Sequence, residues 1–292
     1  MEFPTNLLHI LIPVFVIIGQ VSSQTDEPDF FREFCSDDLG NYTAESTYQA
    51  NLNHLLANLT TLASSSHFNN YTVGEGTDQT YGLYMCRGDF NSEECDTCIK
   101  AASTKTLEKC PVQKEAIMWY DDCMVRYSNR NIFSLEEVWP IYYRWNEHLN
   151  ASDPLQFSQL LADTVNGLIP QGAYNTSNRG YATGQAKMSL FEDLYVLIQC
   201  TPDILGAPCE RCLKVALRNV GSCCNNTLRI MTSMYLPSCW LLYSSTPFVR
   251  EHDTTPPISP SPSSILPPPP RPPSSDVIDN SNTIPAAITP GH

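Results

Sequence analysis

The spacing in this chain that most invites chemistry is Cys-x2-Cys, which occurs as Cys95–Cys98 and again as Cys209–Cys212. Three kinds of chemistry use such a pair. A zinc centre takes four sulfur or nitrogen ligands, which the two pairs together could supply. A redox dithiol needs its pair at a helix N-terminus, where the first thiol is acidified. A disulfide framework needs only that each sulfur meet another one in the folded chain. The compartment in which the chain folds chooses among them.

Leu7 to Ile18 form an apolar run of 12, followed by Gly19, Gln20 and the small residues Val21-Ser22-Ser23. A bilayer span needs about 20 apolar residues, so the run reads as a secretory signal peptide over residues 1–23, cleaved before Gln24. Its n-region is atypical in carrying Glu2 and no lysine or arginine. Six Asn-x-Ser/Thr sequons fit a secreted glycoprotein, at Asn41, Asn58, Asn70, Asn150, Asn175 and Asn225. No other stretch is long enough to span a membrane, so the mature chain is expected outside the cell with no membrane span. Thiols there are oxidised, and the cysteines are assigned to disulfides, with no metal and no cofactor. The formal charge of −14, from 17 basic and 31 acidic residues, excludes a phosphate-neutralising surface and hence nucleic acid as a partner.

Other residues that could do chemistry are scattered. The histidines are His9, His54, His67, His148, His252 and His292. His9 falls in the signal peptide and the last two flank or end the tail; His54 and His148 lie among polar helix or linker residues. No Gly-x-Ser-x-Gly, His-Glu-x-x-His or phosphate loop occurs. Asp121-Asp122, read as neighbours on one strand, would face opposite sides and form no dyad. Glu93-Glu94 suit the positive end of a helix. No catalytic residue is therefore assigned, and no enzyme is expected. The aromatic stretch Ile141-Tyr142-Tyr143-Arg144-Trp145 is read as packing at a domain–domain interface.

The elements that position these residues occur twice. Cys86-x8-Cys95-x2-Cys98 returns 114 positions later as Cys200-x8-Cys209-x2-Cys212, followed in each copy by Cys110 or Cys224 and then Cys123 or Cys239. This is a tandem duplication of a domain-sized unit. Leu52, Leu55, Leu56 and Leu59 have the i, i+3, i+4, i+7 spacing of an amphipathic helix, as do Phe157, Leu160, Leu161 and Thr164. A second helix in each unit puts Cys95, Cys98, Ile99 and Ala102, or Cys209, Cys212, Leu213 and Ala216, on one face. Ile117, Trp119, Asp121, Cys123, Val125 and Tyr127 alternate as one face of a strand. The fold class is α+β: two tandem disulfide-stapled units, each two helices packed on an antiparallel sheet. The first domain is placed at 28–133 and the second at 134–250. A Pro-rich disordered tail covers 251–292, with 10 prolines in the 18 positions from Pro256 to Pro273.

The doubled Cys-x8-Cys-x2-Cys motif after a signal peptide resembles the plant cysteine-rich repeat secretory proteins. Their ginkbilobin-2-homologous, or stress-antifungal, domain also forms the ectodomains of cysteine-rich receptor-like kinases and of plasmodesmata-located proteins. Tyr81 to Asp89 (YGLYMCRGD) and Glu115 to Ser128 (EAIMWYDDCMVRYS) look like the receptor-kinase type of first domain. The resemblance implies bridges Cys86–Cys95, Cys98–Cys123 and Cys35–Cys110, then Cys200–Cys209 and Cys212–Cys239. Spacing alone chooses no pairing. With Cys35 lacking a counterpart in the second unit, Cys223 and Cys224 are left over, either as a vicinal disulfide or as two free thiols.

In ginkbilobin-like antifungal relatives a mannose site uses an Asn, an Arg and a Glu. Here the corresponding positions hold Ser36, Ile117 and Ser128 in the first unit, and Ser233 and Ser244 stand for Arg and Glu in the second. That site is expected to be absent. The expectation is a secreted, non-catalytic binding module in plant stress or defence signalling, whose partner is an unknown extracellular protein or glycan. The alternatives are a truncated receptor-kinase ectodomain and a carbohydrate-binding antifungal protein that uses another site.

Overall fold

The structure, a computed structural model, describes residues 27–145, 151–190, 192–220 and 230–250. The signal-peptide segment, His148, Asn150, Cys223, Cys224, Asn225 and the Pro-rich tail all lie outside the described residues.

The first repeat contains β1 (Phe30–Asn41), α1 (Thr47–Ala63), β2 (Phe68–Val73), β3 (Thr80–Cys86), α2 (Ser92–Lys109), β4 (Gln113–Tyr120) and β5 (Cys123–Ser128). The second repeats this order as β6 (Tyr142–Trp145), α3 (Pro154–Ala173), β7 (Tyr181–Lys187), β8 (Asp193–Cys200), α4 (Ala207–Asn219), β9 (Thr232–Tyr235) and β10 (Cys239–Ser244). Both sheets are antiparallel, with strand orders β1-β4-β5-β3-β2 and β6-β9-β10-β8-β7. The α+β architecture of two helices on an antiparallel sheet therefore holds in both repeats.

Local chemistry starts each helix where the apolar periodicity begins. Ser46 caps α1 by accepting from the Gln49 N–H. Asn91 and Glu94 form a reciprocal capping box on α2, so Glu93 and Glu94 sit in its first turn, at the positive end. Asp153 caps α3, with Pro154 in its first turn. The buried stripe of α1 is Leu52, Leu55, Leu56 and Leu59. On α3 the stripe runs through Phe157, Leu161, Val165, Leu168 and Ile169, with Val165 rather than Thr164 facing inward. Each pair of helices covers one face of its own sheet, and the resulting cores are separate.

The segment around Cys123 is not one strand. It is a hairpin that turns at Asp121-Asp122 between β4 and β5, with Trp119 opposite Met124 and Met118 opposite Val125. Odd-numbered residues of β4 therefore share a face with even-numbered residues of β5. Ile117 and Trp119 point away from the helices together with Met124, while Cys123, Val125 and Tyr127 point toward them.

The two sheets pack on each other through the faces their helices leave bare. Leu83, Met85, Ile117, Trp119 and Met124 of the first meet Leu197, Tyr235, Trp240 and Leu242 of the second. Trp119 and Trp240 are fully buried in this seam, each edge-on to a tyrosine, Tyr142 and Tyr235 respectively. Strand β6 lies at the seam, but only alternate residues face across it. Tyr142 joins the inter-sheet cluster, whereas Ile141 and Tyr143 pack on the second repeat's own core.

Because Trp240 fills this seam, Trp240→Ala is expected to cost about 3–5 kcal/mol in chemical denaturation, as large-to-small core changes do. Leu190→Ala, at a side chain 90% exposed, serves as the control and should leave the midpoint within about 0.5 kcal/mol.

Candidate functional site

Among the described residues the cysteines come together as five bridges: Cys35–Cys110, Cys86–Cys95, Cys98–Cys123, Cys200–Cys209 and Cys212–Cys239. Cys86 and Cys123 stand directly opposite each other on β3 and β5, as Cys200 and Cys239 do on β8 and β10. Each Cys-x2-Cys pair therefore staples one helical turn to two neighbouring strands. No sulfur of the motif bonds within the motif, so no dithiol and no thiolate ligand remains there. Among the described residues no group of three or more His, Cys, Asp or Glu is arranged to hold a metal ion.

The positions at which the resemblance would place a sugar site's polar residues lie on a buried sheet face. Ser36, Ile117 and Ser128 are 4%, 1% and 0% exposed, on the side of the first sheet that meets the second. Ser244 is buried as well, and Ser233 lies on β9. The seam also holds an internal ion network. Buried Arg126 faces Glu115 and Glu137, and Arg130 reaches Glu115 at 2.8 Å and also pairs with Glu137. Burial lowers the Arg126 pKa to about 10 against the pull of Glu115. The Glu137 amide donates to Ser238 Oγ at 2.9 Å, tying the connecting segment 129–141 to the second sheet.

A second polar group lies at the opposite end of the hairpin. Asp121 and Asp122 sit at its turn, not on a strand, and they have different partners. Asp121 pairs with Arg144 of β6, while Asp122 lies 3.7 Å from Arg87. Arg87 is held by Asp89 at 2.6 Å and stacks over Phe90. Arg250 stacks over the same ring at 4.0 Å, pairs with Glu94, and gives its amide to Asp89 at 2.9 Å. Burial raises the Asp121 pKa against the opposing pull of Arg144. Burial also raises the Asp122 pKa to about 6, with Arg87 and Arg250 opposing and Asp121 and Asp89 adding to the shift. Among the described residues neither aspartate bonds a Ser, Thr or Cys side chain; Asp121 latches the first repeat to the second, while Asp122 pairs within the first.

A cleft of about 130 Å³ opens where the edges of the two sheets meet. Its walls come from equivalent positions. Phe68 is opposite Met85 in the first sheet, and Tyr181 is opposite Gln199 in the second. Gln199 donates to the Cys86 carbonyl at 2.8 Å and accepts from the Gly88 amide at 3.1 Å. Gly88 has no room for a side chain, because a Cβ there would lie 2.5 Å from the Tyr181 ring. His67 lines the same cleft, with Nε2 2.6 Å from the Phe90 carbonyl. Arg179 stands at the cleft too, with a positive φ of 48°. Sequence reasoning assigned no role to His67, Arg179 or Gln199. The 114-residue repeat offset was the available signal, since it superimposes Gln199 on Met85.

The remaining site residues are peripheral. His54 is exposed on α1, and its carbonyl accepts from Asn58 Nδ2 at 2.8 Å. Among the sequon asparagines, Asn41 and Asn175 are exposed, while Asn58 and Asn70 are half-buried. Trp145 is 37% exposed on β6, and Trp139 in the connecting segment is 75% exposed.

Two matches to the salt stress response/antifungal family cover residues 34–130 and 145–246. The Arabidopsis thaliana cysteine-rich repeat secretory protein 1 is 35% identical over 81% of this chain and 68% of its own length. The cysteine-rich receptor-like protein kinase 25 of Arabidopsis thaliana is 32% identical over 90% of this chain, which spans only 39% of that kinase. The tandem DUF26 ectodomain of an Arabidopsis thaliana cysteine-rich receptor-like protein has the same fold. Its TM-score is 0.61 at 24% identity, over 74% of this chain and 99% of that one.

The raised Asp122 pKa has a definite sign for stability. A carboxylate that binds its proton more tightly in the folded than in the unfolded state stabilises the fold as pH falls through the folded value. Stability is therefore expected to rise between pH 7.5 and 5 from this group. Asp122→Asn should be the more stable protein above pH 6 and flatten the dependence in that window, read from denaturation midpoints at each pH.

Proposed function

We propose, on the premise that the chain belongs to the salt stress response/antifungal family and carries its domain twice, that it binds another extracellular macromolecule and carries out no chemistry of its own. The module is extracellular, like its secreted relatives and the related ectodomains. The observation that carries the proposal is the burial of Ser36, Ile117 and Ser128 in the inter-sheet seam. The sheet face that carries these positions is here spent on joining the repeats, which leaves recognition to the outer helices, the strand edges and the cleft. The paired cysteines and the absence of a nucleophile–base pair in the hairpin latch support a non-catalytic role. Stress or defence signalling at the plant cell surface is the setting that the relatives suggest.

A second reading has its own support. Since 90% of this chain aligns with part of a receptor-like kinase, the same module also fits the ectodomain of such a receptor. RNA reads that continue in frame past His292 into a membrane span would favour this reading, and a stop codon in every transcript would count against it.

The purified secreted protein is expected to bind at least one receptor ectodomain of this family in an interferometry panel and to show no retention on mannose glycans. Competable mannose binding, with no ectodomain bound, would contradict the proposal and favour the carbohydrate-binding alternative.

A further inference from the structure

The cleft between the repeats holds a combination of groups that the fold does not use up. The amide of Gln199 is fully engaged with Cys86 and Gly88, so it forms wall rather than recognition surface. Asn178 gives its Nδ2 to the Gln171 carbonyl at 3.2 Å, which leaves Oδ1 free to accept. Ser177 has its amide bound to Asn175 and its hydroxyl unengaged. Among the described residues the Arg179 guanidinium meets neither an acid nor a ring. Every other described arginine except Arg218 pairs with a carboxylate or stacks on an aromatic. In a chain of charge −14, an unpaired guanidinium beside a cleft is conspicuous, because acidic partners are plentiful.

The backbone holds this arginine in place. Arg179 and Gly180 both have positive φ, 48° and 88°. A side chain at residue 180 would strike the Cys200 carbonyl at 2.5 Å, and the Cys200 amide binds the Gly180 carbonyl at 3.0 Å. A non-glycine residue in the left-handed region costs on the order of 1 kcal/mol or more. The turn is thereby pinned to the disulfide-bonded end of β8, with Arg179 next to Tyr181 and across from Phe68.

We propose that this cleft binds a small ring carboxylate. The carboxylate takes the two-pronged guanidinium of Arg179, the ring lies against Phe68 and Tyr181, and hydroxyl substituents meet Ser177 Oγ and Asn178 Oδ1. A planar guanidinium matches a carboxylate through two parallel hydrogen bonds, which a lysine cannot reproduce. The volume, about 130 Å³, is roughly four water volumes and well below the roughly 300 Å³ of a drug-sized pocket. It accommodates one six-membered ring. Two sources share this chemistry, an acidic sugar and an aromatic acid. The inference deepens the reading of the chain as a binding module, yet ectodomain binding could fail without touching it, and the reverse.

Titration calorimetry of the intact secreted protein with galacturonate, benzoate and neutral galactose tests the proposal. Saturable binding of galacturonate or benzoate is expected, with galactose inert, and the acid that binds identifies the source. Arg179→Ala should weaken that binding at least tenfold, and Arg179→Lys should restore only part of it. The melting temperature should not change in either variant, because the side chain has no partner to lose. Failure of both acids to saturate, or an affinity unchanged in Arg179→Ala, overturns the proposal.

Discussion

The structure depends on two sheets burying the same face against each other. Each repeat alone would leave Leu83, Met85, Ile117, Trp119 and Met124, or their second-repeat counterparts, open to water. Contiguous apolar patches of this kind are rarely left exposed on monomers. Packing the bare faces together removes that patch and leaves α1 to α4 on the outer sides. The cost is visible in the same place: the indole N–H groups of Trp119 and Trp240 are buried without hydrogen-bond partners. The large apolar area of the two rings outweighs that loss, since full burial of a side chain of this size contributes several kcal/mol. The latch, the ion network around Arg126 and the edge cleft exist because the sheets meet here.

The cysteine motif solves a geometric problem inside each repeat. Three residues along a helix rise about 4.5 Å, close to the roughly 4.8 Å between neighbouring strands. Cys95 and Cys98 can therefore reach two strands at the same register, Cys86 on β3 and Cys123 on β5. The second repeat repeats the arrangement with Cys209 and Cys212. A helix fixed at two points one turn apart can neither roll nor slide on its sheet. The motif thus sets the orientation of α2 and α4, with each of its own sulfurs bridged to a strand. Cys35–Cys110 adds a third staple in the first repeat, tying β1 to the end of α2.

What was legible in the sequence follows from where one-sided burial occurs. The helices α1 and α3 bury a single stripe, so their periodicity was readable from Leu52 to Leu59 and from Phe157 onward. The doubled motif was readable because cysteines keep their spacing when other residues change. The hairpin of β4 and β5 was not. Both of its faces are covered, one by helices and one by the partner sheet, so Ala116 to Tyr120 and Cys123 to Ser128 are buried at every position. Without a solvent face no alternation marks the turn, and Asp121-Asp122 passes for two more strand residues. The latch and the cleft were illegible for a related reason. Asp121 meets Arg144, and Gln199 meets Gly88, only because two sheets far apart in sequence come together.

Solvent access to the seam is the decisive test of the sheet-on-sheet packing. The chain has four tryptophans. Trp119 and Trp240 are fully buried between the sheets, while Trp139 and Trp145 are 75% and 37% exposed. In a protein with Trp139→Phe and Trp145→Phe, all indole fluorescence comes from the seam. Blue-shifted emission is expected, which acrylamide and iodide barely quench until the protein unfolds. Red-shifted, readily quenched emission from the folded protein would show the sheets apart in solution, with the face that carries Ile117 and Ser128 open to a ligand, and would contradict that packing.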